Sequence, residues 1–257
     1  MIMNRIERAL QFAVDQTLVR LVRYVVLRVN PKREPHEQVF DIVARKAACR
    51  SAEYIESHLE GALLFPTREP LWDHALAHAK IDGLFAEFGV FDGYSINYIA
   101  GVIASGGKTI HGFDSFEGLN EDWSGTWYRA RHFDRGGRMP AVPNNVRLEK
   151  GWFDATLPHF LAAHPGELFA FVHCDADTYE STSLVLSLLG DRIVPGTVLV
   201  FDEYLGFPNW PKGEHRAWAE FVAARGLKYR YLAFANTQAA VQVILTAPRP
   251  AVPISPT

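Results

Sequence analysis

Hydrophobic and polar positions change their pattern near Lys80. Beyond it, short apolar runs alternate with stretches in which apolar residues recur every three or four positions. Such runs are typical of strands buried on both faces, and the longer period is typical of amphipathic helices. The pattern predicts seven strands, at 83–88, 109–113, 146–148, 169–174, 197–201, 229–234 and 240–245. It also predicts four helices between them, at 95–104, 155–163, 180–189 and 214–225.

The connections between these elements indicate the topology. Strands separated by a helix are expected to pair in parallel through right-handed crossovers. Only residues 235–239 separate the last two strands, and this hairpin-length connection predicts an antiparallel pair. We therefore expect an α/β fold with a Rossmann-like, doubly wound, seven-stranded sheet, mostly parallel but with an antiparallel terminal hairpin strand.

Residues 1–60 have the pattern of an N-terminal helical extension, with helices predicted at 5–29 and 37–59. The first is apolar but is broken by Arg8, Asp15 and several further arginines, so it predicts neither a membrane-spanning helix nor a signal peptide. We expect these helices to pack on the domain or to join subunits of a homo-oligomer. Peripheral contact of an amphipathic helix with an anionic membrane is the less favoured alternative.

The main domain is predicted to span residues 61–250, followed by a short tail at 251–257. A helix at 71–79 precedes the first strand, and residues 60–70, which contain a glycine and two prolines, read as a loop. Residues 115–145 lack periodicity and contain five aromatic residues, which predicts an insertion or lid over a binding site.

Composition limits the classes of partner. The chain has 257 residues, 48% of them hydrophobic, which suits one enlarged globular domain. Its net charge of −3 offers no basic excess to neutralise phosphates, so no nucleic-acid partner is expected. The two cysteines, Cys49 and Cys174, have no metal-binding spacing, and a reducing, cytoplasmic location is expected.

The end of the first predicted strand carries the first chemical signal. Gly89 and Gly93 allow a tight turn and a close approach of the backbone to a ligand, and the following helix N-terminus offers free N–H groups. A glycine pair after a strand is often only a turn. The carboxylate of Glu87 strengthens the prediction, because a charged residue at the end of an apolar strand is costly unless it serves a ligand or a partner.

Asp114, at the end of the second predicted strand, is the second signal. It follows Gly93 by 21 residues, close to the spacing of about 20 residues that places an acid on ribose hydroxyls in doubly wound folds. A turn or helix-capping role is the alternative for a lone aspartate. The loop lacks the three-glycine pattern of dinucleotide sites, which argues against a pyrophosphate-containing cofactor.

Carboxylates at the ends of the fourth and fifth predicted strands form the third signal. Asp175, Asp202 and Glu203 are expected on neighbouring strands about 5 Å apart, where like charges repel unless a cation or a proton holds them. Oxygen ligands of this kind suit Mg²⁺. Two alternatives remain, because Asp177 could cap the next helix and Asp202 could hydrogen-bond a loop.

Taken in order, these segments resemble the TylF/MycF (macrocin O-methyltransferase-like) group of class I methyltransferases. The resemblance covers roughly residues 65–245 and is carried by AEFGVFDGYSIN, HGFDSFEGL, GWFDATLP, HCDADTYEST, VPGTVLVFDEY and WPKGEHRAW. The sequence departs from the characterised sugar methyltransferases at 202–204, where Asp-Glu-Tyr stands in place of paired aspartates. The resemblance therefore does not predict the same acceptor substrate. An antiparallel hairpin at the end of the sheet is the ending expected of this class.

The resemblance implies S-adenosylmethionine as cofactor and assigns roles to individual residues. The implied cofactor-binding residues are Glu87, Gly89, Gly93, Ser95, Asp114, Ser115, Gly151, Trp152 and Asp175, with Asp114 on the ribose and Gly151 and Trp152 beside the adenine. The implied Mg²⁺ ligands are Asp175, Asp202 and Glu203.

The expected function is methyl transfer to an oxygen of a small molecule, a sugar or a natural-product intermediate. His215 is the first candidate to receive the acceptor proton, His173 is the second, and Asp175 is a further catalytic candidate. Aromatic walls are expected for the acceptor, from Trp123, Trp127, Tyr128, Phe207 and Trp210. An NAD-dependent oxidoreductase and a non-catalytic binding protein of the same fold remain as alternatives.

Overall fold

The computed structural model describes residues 39–246. The helices are α1 (Val39–Glu56), α2 (Arg68–His78), α3 (Tyr94–Ile103), α4 (Phe153–Ala163), α5 (Tyr179–Leu189) and α6 (Glu214–Arg225). The strands are β1 (Leu63–Phe65), β2 (Leu84–Phe88), β3 (Ile110–Asp114), β4 (Val146–Lys150), β5 (Phe169–Cys174), β6 (Val198–Phe201), β7 (Leu227–Ala235) and β8 (Gln238–Thr246). The predicted helix at 5–29 and the tail at 251–257 lie outside the described residues.

All eight strands form one sheet in the order β1-β7-β8-β6-β5-β2-β3-β4. Strands β2 to β6 pair in parallel, and β8 runs antiparallel to both β6 and β7. The predicted Rossmann-like α/β fold is thereby confirmed. The terminal hairpin is tighter than the sequence predicted, because β7 and β8 extend to within two residues of each other and leave only Asn236 and Thr237 in the turn.

The eighth strand, β1, was not predicted. It occupies three residues of the segment read as a loop and pairs in parallel with β7, Leu63 opposite Ala233 and Phe65 opposite Ala235. Leu63 and Leu64 are exposed, so β1 lacks the buried run or the alternation that reveals a strand in a sequence. The pairing with β7 defines this strand, and that pairing is invisible from local pattern.

Helices cover both faces of the sheet. Alternate residues of β2 point to opposite sides, as a strand requires: Ala86 and Phe88 enter one hydrophobic cluster and Phe85 enters the other. The first cluster includes residues of α4, α5 and α6, such as Trp218, and the second includes residues of α2 and α3, such as Trp72. Both indoles are fully buried. This double coverage explains why β6 is continuously apolar and why β2 and β5 are apolar except at Glu87 and His173.

The segment 115–145 contains no helix or strand of its own. Backbone hydrogen bonds fold its first half back on itself, with Leu119 N donating to His132 O and Gly137 N donating to Phe116 O. Glu117 and Asp134 form an isolated antiparallel bridge. The segment is thus a loop held by its own backbone hydrogen bonds, and it begins at the C-terminal end of β3. Its role as a lid stays a prediction, as do the domain limits at residues 60 and 250.

Within the described residues, no helix combines the length and the hydropathy needed to cross a lipid bilayer.

Thr197 provides a test of how the sheet is anchored just before β6. Its buried hydroxyl donates to Phe169 O at 2.7 Å and accepts from Val194 N at 3.0 Å. Thr197→Val leaves both backbone groups unpaired at nearly constant shape, so we expect the free energy of unfolding to fall by about 1–3 kcal/mol. Urea denaturation measures the change, with the exposed Ser187→Ala as control. Equal stability of Thr197→Val and the wild type would contradict this account.

Candidate functional site

The C-terminal ends of β2, β3, β4, β5 and β6 meet at one edge of the sheet and border a cavity of about 510 Å³. In open α/β sheets this edge is where ligands bind. The cavity is lined by Gly89, Phe91, Asp114, Ser115, Gly118, Leu119, Asn120, Trp123, Tyr128, Phe133, Gly151, Trp152, Phe153, Asp154, Asp175, Ala176, Asp177, Ser181, Leu184 and Glu203. Its volume suits a ligand of cofactor size.

The turn after β2 is built on close backbone approach. Gly89 has a φ of +91°, and a Cβ there would overlap the carbonyl oxygen of Asp175. Gly89 N donates to Phe113 O at 2.9 Å, and Asp175 N donates to Phe88 O at 2.8 Å. Only glycine fits both the conformation and the space. The predicted importance of Gly89 therefore has a structural cause, which is to bring the turns after β2, β3 and β5 together.

Asp114 fastens two of these turns through its carboxylate. One oxygen accepts from Val90 N and Phe91 N, both at 2.8 Å, and the other accepts from Phe116 N at 2.6 Å. An ionised carboxylate has about four acceptor positions, so the three amides leave one for a further donor. Asp114 and its neighbour Ser115 both line the cavity. A ribose hydroxyl would complete the carboxylate's hydrogen bonding.

On the far side of β3, the turn after β4 supplies another part of the wall. Gly151 N donates to Asp114 O at 2.9 Å, and Gly151 itself has a φ of +144°. Trp152 follows, with 38% of its side chain exposed, and the cavity wall continues through Phe153 and Asp154. A partly exposed indole at a cavity wall offers a flat face to an aromatic ligand.

Glu87 and Ser95 do not line the cavity. Glu87 is fully buried, accepts from Ser95 Oγ at 3.0 Å and faces Nδ1 of His173 at 3.0 Å. Burial raises the pKa of Glu87, and His173 opposes that rise. Gly93 also lies outside the cavity, where its φ of +88° starts α3. These three predicted residues shape the turn after β2 and lie behind the cavity wall.

His173 is held between two carboxylates. Its Nδ1 faces Glu87, and its Nε2 lies 3.7 Å from Asp202 Oδ1. Burial alone would lower the pKa of His173, but the interactions with Asp202 and Glu87 outweigh it and raise the pKa to about 10. A protonated imidazole has no free lone pair with which to accept the proton of a substrate hydroxyl. His173 is also fully buried. The structure thus does not support His173 as the base.

His215 is also separated from the cavity. It lies on the first turn of α6, with Nε2 at 3.2 Å from the Tyr54 hydroxyl and its ring beside Tyr204 and Trp210. Burial and, to a smaller extent, the charge of His58 together lower the pKa of His215 to about 4. Its ring is therefore neutral at pH 7, but it belongs to an aromatic cluster beneath α1. The sequence placed His215 near the site because it follows β6, yet the intervening loop leads it away.

Three carboxylates converge in the cavity, and they differ from the predicted trio at one position. Asp175, Asp177 and Glu203 each offer one oxygen, and these oxygens lie within 4.8 Å of one another. Asp202 instead accepts from Gln238 Nε2 and pairs with His173. Asp202 and Glu203 both follow β6 in a bend of the chain, and the Asp202 carboxylate is held by Gln238 and His173 whereas Glu203 lines the cavity. Asp177 joins the carboxylate cluster because its φ of +62° turns the chain back at this residue.

These three carboxylates fit a hard divalent cation. All donors are oxygens, as Mg²⁺ prefers, and Glu203 Oε2 is buried with no hydrogen-bond partner in the described part of the chain. Burial, followed by repulsion from neighbouring carboxylates, raises the pKa of Asp175, Asp177 and Glu203. A cation would remove that repulsion and satisfy the unpaired oxygen.

Sequence reasoning missed Glu214, a fully buried carboxylate on the first turn of α6. Burial raises its pKa to about 7, while hydrogen bonds from the Glu203 amide and the Thr182 hydroxyl act in the opposite direction. No signal in the sequence marks it, because a glutamate in the first turn of a helix ordinarily faces solvent and favours the helix dipole.

Aromatic rings enclose the outer part of the cavity. Trp123 and Tyr128 line it as predicted, and Phe91 and Phe133 join them with ring centroids 5.4 Å apart. The other predicted aromatic residues lie elsewhere. Trp127 is 67% exposed and Trp210 is buried, whereas Phe207 packs on Trp123 at 5.5 Å from outside the lining.

Comparison with known proteins gives this geometry a context. Residues 86–204 match a family model described as a methyltransferase domain. A relative from Streptomyces olivaceus, 8-demethyl-8-(2,3-dimethoxy-alpha-L-rhamnosyl)-tetracenomycin-C 4'-O-methyltransferase, is 32% identical over 145 residues, which are 48% of this chain and 54% of that protein. The chain thus spans about half the length of the relative that it matches.

Solved structures agree on the fold. The calicheamicin methyltransferase CalS11 is 21% identical with a TM-score of 0.56, covering 80% of this chain and 94% of that one. The O-methyltransferase NovP is 19% identical with a TM-score of 0.53, covering 69% and 80%. The chain therefore shares its fold with these class I methyltransferases, and the match of residues 86–204 to the methyltransferase-domain model lies within that fold. The narrower TylF/MycF resemblance stays a prediction.

The burial of His215 predicts a pH dependence of stability. Its pKa of about 4 in the folded protein is below the value of about 6.5 in an unfolded chain. The unfolded state therefore binds the proton more readily, and stability falls as pH drops from about 6.5 towards 4. Between pH 7 and pH 5, we expect the melting temperature of His215→Gln to fall by less than that of the wild type. The exposed His159→Gln is the control, and parallel losses in all three proteins would refute the effect.

Proposed function

We propose that this protein is an S-adenosylmethionine-dependent O-methyltransferase that acts on a hydroxylated small molecule, a sugar or a natural-product intermediate. The observation that carries the proposal is the convergence of Asp114 and the carboxylates Asp175, Asp177 and Glu203 on one cavity at the C-terminal edge of the sheet. Two structures of CalS11 support the acceptor class, since CalS11 is named a calicheamicin methyltransferase and a TDP-rhamnose 3'-O-methyltransferase. The Streptomyces relative is named for a rhamnosyl substrate.

The cofactor is assigned to the part of the cavity between β2 and β4. Asp114 would receive a ribose hydroxyl at its free acceptor position, and Ser115 lies beside it. Trp152 would face the adenine across Gly151. The turn at Gly89 would carry the methionine portion towards Asp175. Glu87, Gly93 and Ser95 would support this turn from behind, a change from the direct contact that the resemblance implied.

The acceptor is assigned to the outer part of the cavity, between the aromatic rings and the three carboxylates. S-adenosylmethionine supplies a methyl group on a sulfonium, which is already an excellent leaving group, so the protein's main contribution is alignment. Trp123 and Tyr128 would orient the acceptor, and Asn120 adds a polar group. Because His173 and His215 lie outside the cavity, Asp175 is the predicted catalytic side chain that can accept a hydrogen bond from the acceptor hydroxyl.

We propose Asp175, Asp177 and Glu203 as the residues that hold Mg²⁺. Bound there, the ion would lower the pKa of an acceptor hydroxyl and fix its orientation. Asp202 leaves the predicted ligand set and takes a supporting role, holding Gln238 and His173.

The expectations about assembly and location remain part of this proposal. A homo-oligomer formed through the N-terminal helices is favoured over peripheral membrane contact, and both concern residues 1–38, which the structure does not describe. A cytoplasmic location agrees with Cys49 and Cys174 being free thiols. No nucleic-acid partner is expected.

Ligand-dependent melting tests the cofactor assignment. We expect S-adenosylmethionine and S-adenosylhomocysteine to raise the melting temperature and NAD⁺ to leave it unchanged, because a ligand stabilises the state that binds it. Asp114→Ala should weaken S-adenosylhomocysteine binding at least tenfold. Asp92→Ala, an exposed change in the same turn, is the control. Stabilisation by NAD⁺ alone would favour the oxidoreductase alternative, and undiminished binding to Asp114→Ala would reject the ribose contact.

Metal dependence tests the ligand set. We expect EDTA to suppress turnover and Mg²⁺ to restore it, and Asp177→Asn to raise the Mg²⁺ concentration needed for half-maximal activity at least tenfold. Asp202→Asn should lower stability, since it breaks the pairing with His173, but should leave the Mg²⁺ requirement nearly unchanged. The opposite ranking of the two variants would restore the set predicted from the sequence. Full activity in EDTA would remove the metal from the mechanism.

A further inference from the structure

Glu214 is a buried carboxylate that neither the cofactor nor the acceptor assignment uses. Its side chain is 0% exposed, although it occupies the first turn of α6, where glutamate usually faces water. Burying a carboxylate is costly unless it is well hydrogen-bonded. Its partners therefore indicate what it is for.

Those partners belong to two separate parts of the site. One carboxylate oxygen accepts from the backbone N–H of Glu203 at 3.0 Å, in the turn after β6. The other accepts from Thr182 Oγ1 at 3.1 Å, on the first turn of α5. Helix α5 begins directly after the turn that carries Asp175 and Asp177. Glu214 thus links the turn that carries Glu203 to the helix that directly follows Asp175 and Asp177.

We propose that Glu214 is a positioning residue, which sets the separation of Glu203 from Asp175 and Asp177 by hydrogen-bonding to the turn after β6 and to the first turn of α5. The proposal rests on the proposed function, which assigns these three carboxylates to a cation. The neighbouring residues of this turn are held by other elements, with Asp202 N donating to Cys174 O and Leu205 N donating to Thr237 O. Glu214 holds the Glu203 amide itself, and Glu203 Oε2 has no hydrogen-bond partner in the described chain. Partners in the second layer of a metal site commonly change affinity or activity by about 10- to 100-fold.

The hydrogen bonds, and not the negative charge, are the basis of the positioning. A glutamine at 214 can keep both contacts, because its carbonyl accepts from Glu203 N–H and its amide donates to the Thr182 hydroxyl, which can also accept. A methionine has similar size but leaves the Glu203 amide unpaired. Glu214→Gln and Glu214→Met therefore separate hydrogen bonding from charge and from volume. Glu220→Gln is the matched control, because this exposed glutamate on the same helix also contacts α5, through the Tyr179 hydroxyl, but does not accept from the Glu203 amide.

Amide hydrogen exchange of the full-length protein, without metal or cofactor, tests the contact itself. We expect the Glu203 amide to exchange at least tenfold faster in Glu214→Met than in the wild type, and to exchange at nearly the wild-type rate in Glu214→Gln and Glu220→Gln. Thr182→Val removes the hydrogen bond between Thr182 and Glu214 and should give the Glu203 amide an intermediate exchange rate. This variant replaces Glu214→Met in the test if Glu214→Met does not fold. Unchanged exchange at Glu203 in both Glu214→Met and Thr182→Val would overturn the proposal.

Binding of Mn²⁺, followed by the electron paramagnetic resonance of the free ion in the presence of S-adenosylhomocysteine, tests the consequence. Affinity should fall about 10- to 100-fold in Glu214→Met and less than about threefold in Glu214→Gln. Equal losses in both variants would overturn the proposal, because charge would then explain the effect. If the wild type binds no Mn²⁺, the metal part of the proposed function fails, and the exchange rates alone decide the role of Glu214.

Discussion

Repulsion between carboxylates crowded at one edge of the sheet is the constraint on which this site depends. Parallel strands end together, so the acidic residues that follow them are brought close whatever their separation along the chain. The protein neutralises each in a different way. Asp114 is bound by three backbone amides, Glu87 and Asp202 share the imidazolium of His173, and Glu214 receives an amide and a hydroxyl. For Asp175, Asp177 and Glu203, whose oxygens lie within 4.8 Å of one another, the proposed partner is a divalent cation.

This division also explains the fate of the two candidate histidines. An imidazole takes its protonation state from its neighbours. His173, between two carboxylates, is fixed in its charged form, and His215, among aromatic rings, is fixed in its neutral form. One therefore serves as a permanent counter-ion and the other as a packing element. A histidine that is close to site residues in the sequence can therefore lie in quite different environments in the folded protein.

The sequence predicts the fold well, because buried parallel strands and their crossover helices leave long, regular patterns. It misses β1, whose pairing with β7 has no local signature. Among the predicted site residues, Asp114, Gly89 and Asp175 line the cavity, because they end a strand or follow one directly. Sequence reasoning fails where a single backbone angle decides, as when the positive φ of Asp177 exchanges that residue for Asp202. It also fails for Glu214, since its neighbours come from other elements.

The short hairpin between β7 and β8 contacts the turn after β6. Leu205 N donates to Thr237 O at 2.9 Å, and Gln238, the first residue of β8, donates to Asp202. The last strand inserts between β6 and β7 and so closes the sheet from within. The turn after β6, which carries Glu203, is therefore held in place by the hairpin turn and the start of β8. A substitution at Thr237 or Gln238 is consequently expected to disturb the wall of the cavity, although neither residue lines it.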